Sequence, residues 1–328
     1  MSSLLTSFWI SMSPGGLPEQ KTTCSYPQPT NPPTFPSIQY INKALPASYD
    51  LPPKTGDVKI SAWNITSLKS ACDKKHGSGF RGYMDKEDAD IMILTETKRN
   101  DSSPIPEDVF LKEKYPFQEW AFCSKKGYAG TAVLSKVKPI TKSVDLVVKG
   151  ERITGRIVQM EFPSLFLIGT YAPNASEGLK NMQGKKDWNV AFEAKLRELD
   201  AIKPVVWGGD INVVASGNDI SNAAKGWNKL PGWTQDELDG YMSQLNPSSE
   251  SGHQPLVDAW REIHGPDEVQ YSFHSKRSLQ REKGLGWRLD TFVVSKRLQE
   301  RVKACEIRRE IFGPSDHVPV VIELSGSL

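Results

Sequence analysis

Short apolar runs recur at close intervals from Val58 to the end of the chain, and they constrain the fold more than any other feature. "VKISAWNI", "ADIMILTE", "FQEWAFCS", "TAVLSK", "RIVQMEF", "LFLIGTYA", "PVVWGGDIN", "RLDTFVVS" and "VPVVIEL" all read as strands. Helical patterns are fewer. In "KDWNVAFEAKLRELDAI", Trp188, Phe192, Leu196 and Leu199 share one face. "TQDELDGYMSQL" opens on Thr234 with Glu237 three positions later, a capping-box signature. Many strands and few helices predict two sheets packed face to face with helices outside. No internal repeat at a fixed short period is visible.

This pattern occupies residues 51–328, which we expect to form one catalytic domain. Residues 1–50 differ: they contain "PQPTNPPTFPS", lack a helical period, and are expected to be a disordered Pro/Ser-rich tail. The opening "MSSLLTSFWISM" has no Arg and no basic start, which argues against a transit or signal peptide. No Lys/Arg cluster in the tail marks nuclear import.

Charge narrows the function. Lys and Arg total 41 against 39 Asp and Glu, a net charge of +2, so any binding of nucleic acid needs a local basic face. The cysteines Cys24, Cys72, Cys123 and Cys305 form no CxxC. Neither a zinc site nor a disulfide framework is expected from that spacing, and a reducing intracellular compartment fits. No run approaches the length of a membrane span.

Polar residues stand where the strands end. Asn64 closes the first strand and Glu96 the second; Tyr171 and Asn174 follow the sixth; Asp210 and Asn212 end the seventh in "GGDIN". Asp290 lies in "GWRLD", and "FGPSDHVPVVIEL" delivers Asp316 and His317 before the last strand. Each has an ordinary explanation: Asp and Asn form turns, Glu96 caps a solvated strand end, Tyr171 is a rim aromatic, and Asp290 pairs with Arg288. Together, however, they are the parts for phosphodiester hydrolysis. That reaction needs carboxylates for a hard cation, a base or positioner for water, and donors for developing charge. A His with a carboxylate partner supplies a donor or a proton relay.

The motifs "SAWNI", "ILTETK", "YAGTAVLS", "GTYAPNAS", "VVWGGDIN", "GWRLDTFVVS" and "SDHVPV", in this order, resemble the exonuclease III-type apurinic/apyrimidinic endonucleases of the endonuclease/exonuclease/phosphatase superfamily. The resemblance covers roughly residues 56–326. It implies an α/β fold, a four-layered sandwich of two packed mixed sheets flanked by helices, like deoxyribonuclease I. It also implies a Mg²⁺-dependent cut, with Mn²⁺ as substitute, 5′ to abasic sites in double-stranded DNA. A 3′-5′ exonuclease or 3′-phosphodiesterase activity would accompany it.

Carried over residue by residue, the resemblance puts the metal at Asn64, Glu96 and Asp316, with Asp210 and Asn212 joining if a second position is used. Asp210 would activate water, held by Asn212; His317 would contact the phosphate, oriented by Asp290; Tyr171 and Asn174 would hold phosphate oxygens. Lys98 would steady the acidic cluster. Phe273, Trp287 and Leu289 match an apolar sugar pocket, with ordinary core packing as the alternative. Lys125, Lys126 and Arg156 match places near the DNA backbone, with a solvated surface as the alternative.

The chain departs from the family in places. Thr66 stands where an acid is usual, Glu177 where an Arg is common, and "GWT" (232–234) where "GFT" is usual. The loop "HSKRSLQREKGLG" (274–286) is unusually basic. Two other readings remain open at this point. One is a phosphodiesterase for RNA, undamaged DNA or a small phosphoester; the other is a non-catalytic homologue that binds DNA or a partner. A monomer is expected, in the nucleus of a eukaryotic cell or in mitochondria, with no membrane partner.

Overall fold

The computed structural model describes residues 49–73, 77–311, 313 and 315–328. Most of the expected tail therefore lies outside the described residues. Its last positions do not: Tyr49 packs against the core beneath the first sheet, and Lys86 Nζ sits 4.3 Å over its ring.

The strands are β1 (Val58–Asn64), β2 (Ile91–Thr95), β3 (Phe117–Ala121), β4 (Thr131–Ser135), β5 (Thr141–Ser143), β6 (Val147–Val148) and β7 (Glu151–Arg152). They continue as β8 (Ile157–Glu161), β9 (Phe166–Tyr171), β10 (Val205–Asp210), β11 (Leu256–Asp258), β12 (Asp290–Ser295), β13 (Val302–Ile307) and β14 (Val320–Leu324). The helices are α1 (Leu68–Ala71), α2 (Gly77–Glu87), α3 (Glu107–Lys114), α4 (Met182–Asp200), α5 (Ala223–Gly226), α6 (Gln235–Leu245) and α7 (Ala259–His264).

Two six-stranded mixed sheets form, in the orders β13-β14-β1-β2-β4-β3 and β11-β12-β10-β9-β8-β5, with β6 and β7 as a separate ribbon. Each sheet has one central parallel pair, β1/β2 and β9/β10, and antiparallel neighbours on both sides. Helices cover the outer faces, so the expected four-layered sandwich is what the chain adopts. Its middle layer is apolar: Ile60, Ala62, Ile93, Val133, Leu167, Val206, Phe292 and Ile322 interdigitate between the sheets. On one outer face Trp63, Phe80, Tyr83 and Leu111 pack under α1–α3; on the other, Ile168, Trp207 and Tyr241 meet Trp188, Phe192 and Leu196 of α4. The central strands are thus buried on both faces, which is why their sequences are continuous apolar runs. Each such side chain contributes about 1.5–3 kcal/mol by leaving water.

The parallel pairs position the site. The carboxyl ends of β1, β2, β9 and β10 point to one rim of the sandwich, and β12 and β14, running the other way, begin there. Chain ends of parallel strands with nothing continuing them leave a crevice, the usual place for a site in α/β sheets. At the end of β10, Gly209 has φ +126°, and a Cβ there would stand 2.2 Å from Thr170 O. Only glycine can turn the chain here while β10 stays paired to β9.

Candidate active site

Asp210 is the last residue of β10, paired across the sheet with Tyr171 of β9 and Asp290 of β12. Asn64, the last residue of β1, reaches over from the other sheet. Its Nδ2 donates to Asp210 Oδ2 at 2.9 Å and to Glu96 Oε1 at 3.1 Å, and lies 3.4 Å from His317 Nε2. His317, just before β14, donates from Nδ1 to Asp290 Oδ2 at 2.7 Å. Ser272 Oγ also donates to Asp290 Oδ2, at 2.7 Å, and accepts from the backbone N–H groups of Leu289 and Asp290. Arg288 does not pair with Asp290: its guanidinium serves Asp219 and Asp258. That leaves Asp290 for the imidazole.

The turn before β14 is fixed by its serine. Ser315 Oγ donates to Asn64 O at 2.5 Å and accepts from His317 N at 3.0 Å, while Trp63 Nε1 donates to His317 O at 3.0 Å. Asp316 accepts from Thr66 Oγ at 3.0 Å, and Thr66 N donates to Asn64 Oδ1 at 2.9 Å. Where an acid is missing, Thr66 joins Asn64 and Asp316 into one network, through its backbone N–H to the first and its hydroxyl to the second. Glu96 pairs with Lys98 at 3.4 Å.

On the other sheet, Asn212 N donates to Asp210 Oδ1 at 3.0 Å. The Asn212 amide is held by Ala172 O and by Asn174 Nδ2, each at 3.0 Å. Glu96 and Asn212 both adopt positive φ, +52° and +50°. L-residues occupy that region at a cost, and such strain collects at functional sites.

Electrostatics follow from burial and charge. Asp210 is 1% exposed. Burial, then the charge of Asp290, lifts its pKa to about 7. Burial opposes a charged imidazole at His317, but Asp290, Asp210 and Asp316 outweigh it and raise its pKa to about 10. Burial, with Glu96 and Asp210 nearby, pushes the Tyr171 phenol well above its ordinary value. Burial lowers Lys185, beneath the loop after β10, to about 8.

Beside the polar rim lies an apolar wall. The Phe273 ring is 4.9 Å from His317 and 6.3 Å from Trp287, and Leu289, Trp233 and Ile220 complete the cluster. Phe273 and Trp287 are only partly buried, whereas Leu289 is 6% exposed. Arg156 lies 4.9 Å over the Tyr171 ring and donates to Tyr171 O at 3.0 Å. Lys125 sits 4.8 Å over Tyr128, and Lys126 is exposed beside it.

Sequence reasoning missed Ser272, the hydroxyl roles of Ser315 and Thr66, and Lys185. Ser315 lies inside the quoted "FGPSDHVPVVIEL" and Ser272 next to Phe273, yet nothing local distinguishes a bridging serine from a turn serine. A lysine among the apolar positions of α4 was the one visible signal for Lys185.

Residues 62–317 match the endonuclease/exonuclease/phosphatase family. The chain is 35% identical over 289 residues to the DNA repair nuclease APEX1 of Danio rerio, covering 85% of this chain and 89% of that one. It is 34% identical to an exodeoxyribonuclease of Bacillus subtilis, covering 80% and 98%. Among solved structures, an AP endonuclease from Archaeoglobus fulgidus superposes with a TM-score of 0.69 at 27% identity, over 82% of this chain and all (100%) of that one.

Proposed function

The chain belongs to the endonuclease/exonuclease/phosphatase family, and from that premise we propose that it repairs DNA by hydrolysing the phosphodiester 5′ to abasic sites in the duplex. Its relatives carry the names of AP endonucleases and exodeoxyribonucleases, so the chain is a nuclease acting on DNA. The observation that carries the finer reading is the Asp210–Asn64–His317–Asp290 constellation beside an apolar wall.

Each residue has a role. Asp210, with its pKa raised to about 7, is a base poised near neutrality for the attacking water. Asn212 and Asn64 hold its two oxygens and so fix its direction. His317 stays protonated at neutral pH and offers Nε2–H to a phosphate oxygen, its ring set by Asp290 behind it. Tyr171 and Asn174 face the same rim as further donors. Lys125, Lys126 and Arg156 lie on loops of that rim and suit the DNA backbone. Phe273, Trp287 and Leu289 form an apolar wall beside His317, suited to the apolar face of a flipped-out sugar.

Oxygen donors suit a hard cation, and Glu96, Asp316 and the Asn64 amide oxygen offer them; we assign Mg²⁺ here, with Mn²⁺ as substitute. The buried trio Asp210, Asp290 and His317 also has ligand atoms within 4.8 Å of one another, but His317 Nδ1 is committed to Asp290. A cation at Glu96 supplies positive charge for the phosphate and the leaving oxygen. We further assign the protein to a monomeric state and to the nucleus, where duplex DNA is repaired.

The test is a duplex bearing one tetrahydrofuran abasic analogue, with Mg²⁺ or with chelator, cut by wild type, Asp210→Asn and His317→Ala. We expect metal-dependent incision leaving a 3′-hydroxyl, and a fall in kcat of roughly a thousandfold or more in each variant. Equal cutting of undamaged DNA or RNA would move the assignment to a general phosphodiesterase. Absence of cutting on all substrates would make the chain a binding homologue.

A further inference from the structure

Two buried titratable side chains lie beneath the catalytic rim, and none of the roles above uses them. Lys185 on α4 is 1% exposed, and Glu237 on α6 is fully buried. Lys185 Nζ donates to Ile211 O at 2.8 Å and lies 3.4 Å from Asn212 O. It therefore grips the backbone of the segment that follows Asp210. Glu237 Oε2 accepts from Gly232 N and Thr234 Oγ, both at 2.8 Å. Gly232 O in turn accepts from Val214 N at 2.7 Å. The same short segment, 211–214, is thus held at its start by the lysine and at its end through Gly232 by the glutamate.

The segment needs holding. Asn212 sits at φ +50°, and its N–H and side chain set one oxygen of Asp210. Backbone strain of this kind persists only where the surroundings fix it. A buried ammonium without a carboxylate bonded directly to it is costly unless its donors are used, and here they are spent on carbonyls. Gly232 also lies beside the apolar wall, since a Cβ added there would stand 3.5 Å from the Trp287 ring.

We propose that Lys185 and Glu237 are positioning residues for the hydrolysis, two buried side chains that clamp residues 211–214 from either end and thereby aim Asp210 and Asn212. The proposal rests on Asp210 as the base. An ordinary structural pair would lower stability without changing turnover per folded molecule.

The experiment uses the full chain and the variants Lys185→Met, Lys185→Gln, Glu237→Gln and the double variant Lys185→Met/Glu237→Gln. Hydrogen exchange across 208–216 is measured alongside kcat and KM on the abasic-analogue duplex and on an activated phosphodiester, bis-p-nitrophenyl phosphate. We expect faster exchange confined to that segment, and kcat reduced about ten- to a hundredfold with KM within about threefold. The double variant should be no worse than the worse single one, because both act on one element. Lys185→Gln, which keeps an N–H donor, should recover part of what Lys185→Met loses. Unchanged exchange in 208–216, or unchanged kcat, overturns the clamp. If Lys185→Met does not fold, Lys185→Gln and Glu237→Gln carry the same two readouts. Exchange does not depend on substrate, so wild-type failure on the abasic duplex would defeat the substrate assignment and leave the clamp to be judged separately.

Discussion

Thr66 is the residue at which this site differs most in kind. It has φ +58°, a region that β-branched residues avoid and that Asn, Asp and Gly enter more easily. Its hydroxyl donates to Asp316, so the position is structurally satisfied while the cluster carries one negative charge fewer. Thr66→Asp should restore that charge in a backbone conformation the new residue tolerates better. The half-saturating Mg²⁺ concentration for incision should fall roughly tenfold, since ligand charge tunes affinity for hard cations. An unchanged metal titration would remove the idea. At this scale the sequence was informative about which residue types the chemistry uses. Glu96, Asp210, Asp290 and His317 stood at strand ends in recognisable motifs. It could not show that Ser272 rather than Arg288 shares Asp290, because Arg288 is drawn away by Asp219 and Asp258, residues distant in the sequence.

At the scale of elements, β10 and β9 determine where the chemistry stands. Gly209 allows β10 to bend while its neighbour Gly208 lets the Phe292 ring pass, with a Cβ there only 2.3 Å from that ring. Gly209→Ala should therefore cost on the order of 2–3 kcal/mol, seen as a fall of several degrees in Tm, together with loss of incision. Gly82→Ala in α2, where nothing lies within 4 Å of the new Cβ, is the contrasting control and should stabilise slightly. Sequence reading found the inner strands of both sheets and the edge strand β3. It passed over β5, β11 and β13 and the two-residue strands β6 and β7. β5 is mostly exposed and β13 alternates between exposed and buried positions, so neither has the continuous apolar run of a strand covered on both faces. The helix starting after Thr234 was legible from its cap. Its glutamate, however, serves Gly232 as well as Thr234, which no local pattern implies.

For the molecule as a whole, a net charge of +2 leaves DNA binding to a few placed cations. With Lys125, Lys126 and Arg156 as phosphate partners, log K against log salt should have a slope of about −3, at about 0.9 per contact. Replacing Lys125 and Lys126 by Ala should make it shallower by about 2, and Glu177→Arg should tighten binding to any duplex sequence; a slope that stays put would show that other surfaces hold the DNA. Among the described residues no helix is long and apolar enough to cross a membrane, as expected from the sequence. By itself, the sequence determined the class of fold, the central strands and the residue types of the site, because burial on two faces and turn chemistry are written locally. Only the tertiary structure decided that Asn64 spans both sheets to Asp210, that Asp219 and Asp258 take Arg288 and leave Asp290 to His317, and that Lys185 and Glu237 hold one loop. Those facts depend on how the sheets and helices are laid against one another. The bonds Asn64–Asp210, Lys185–Ile211 and His317–Asp290 join residues from 26 to 146 positions apart, and no short window of sequence records them.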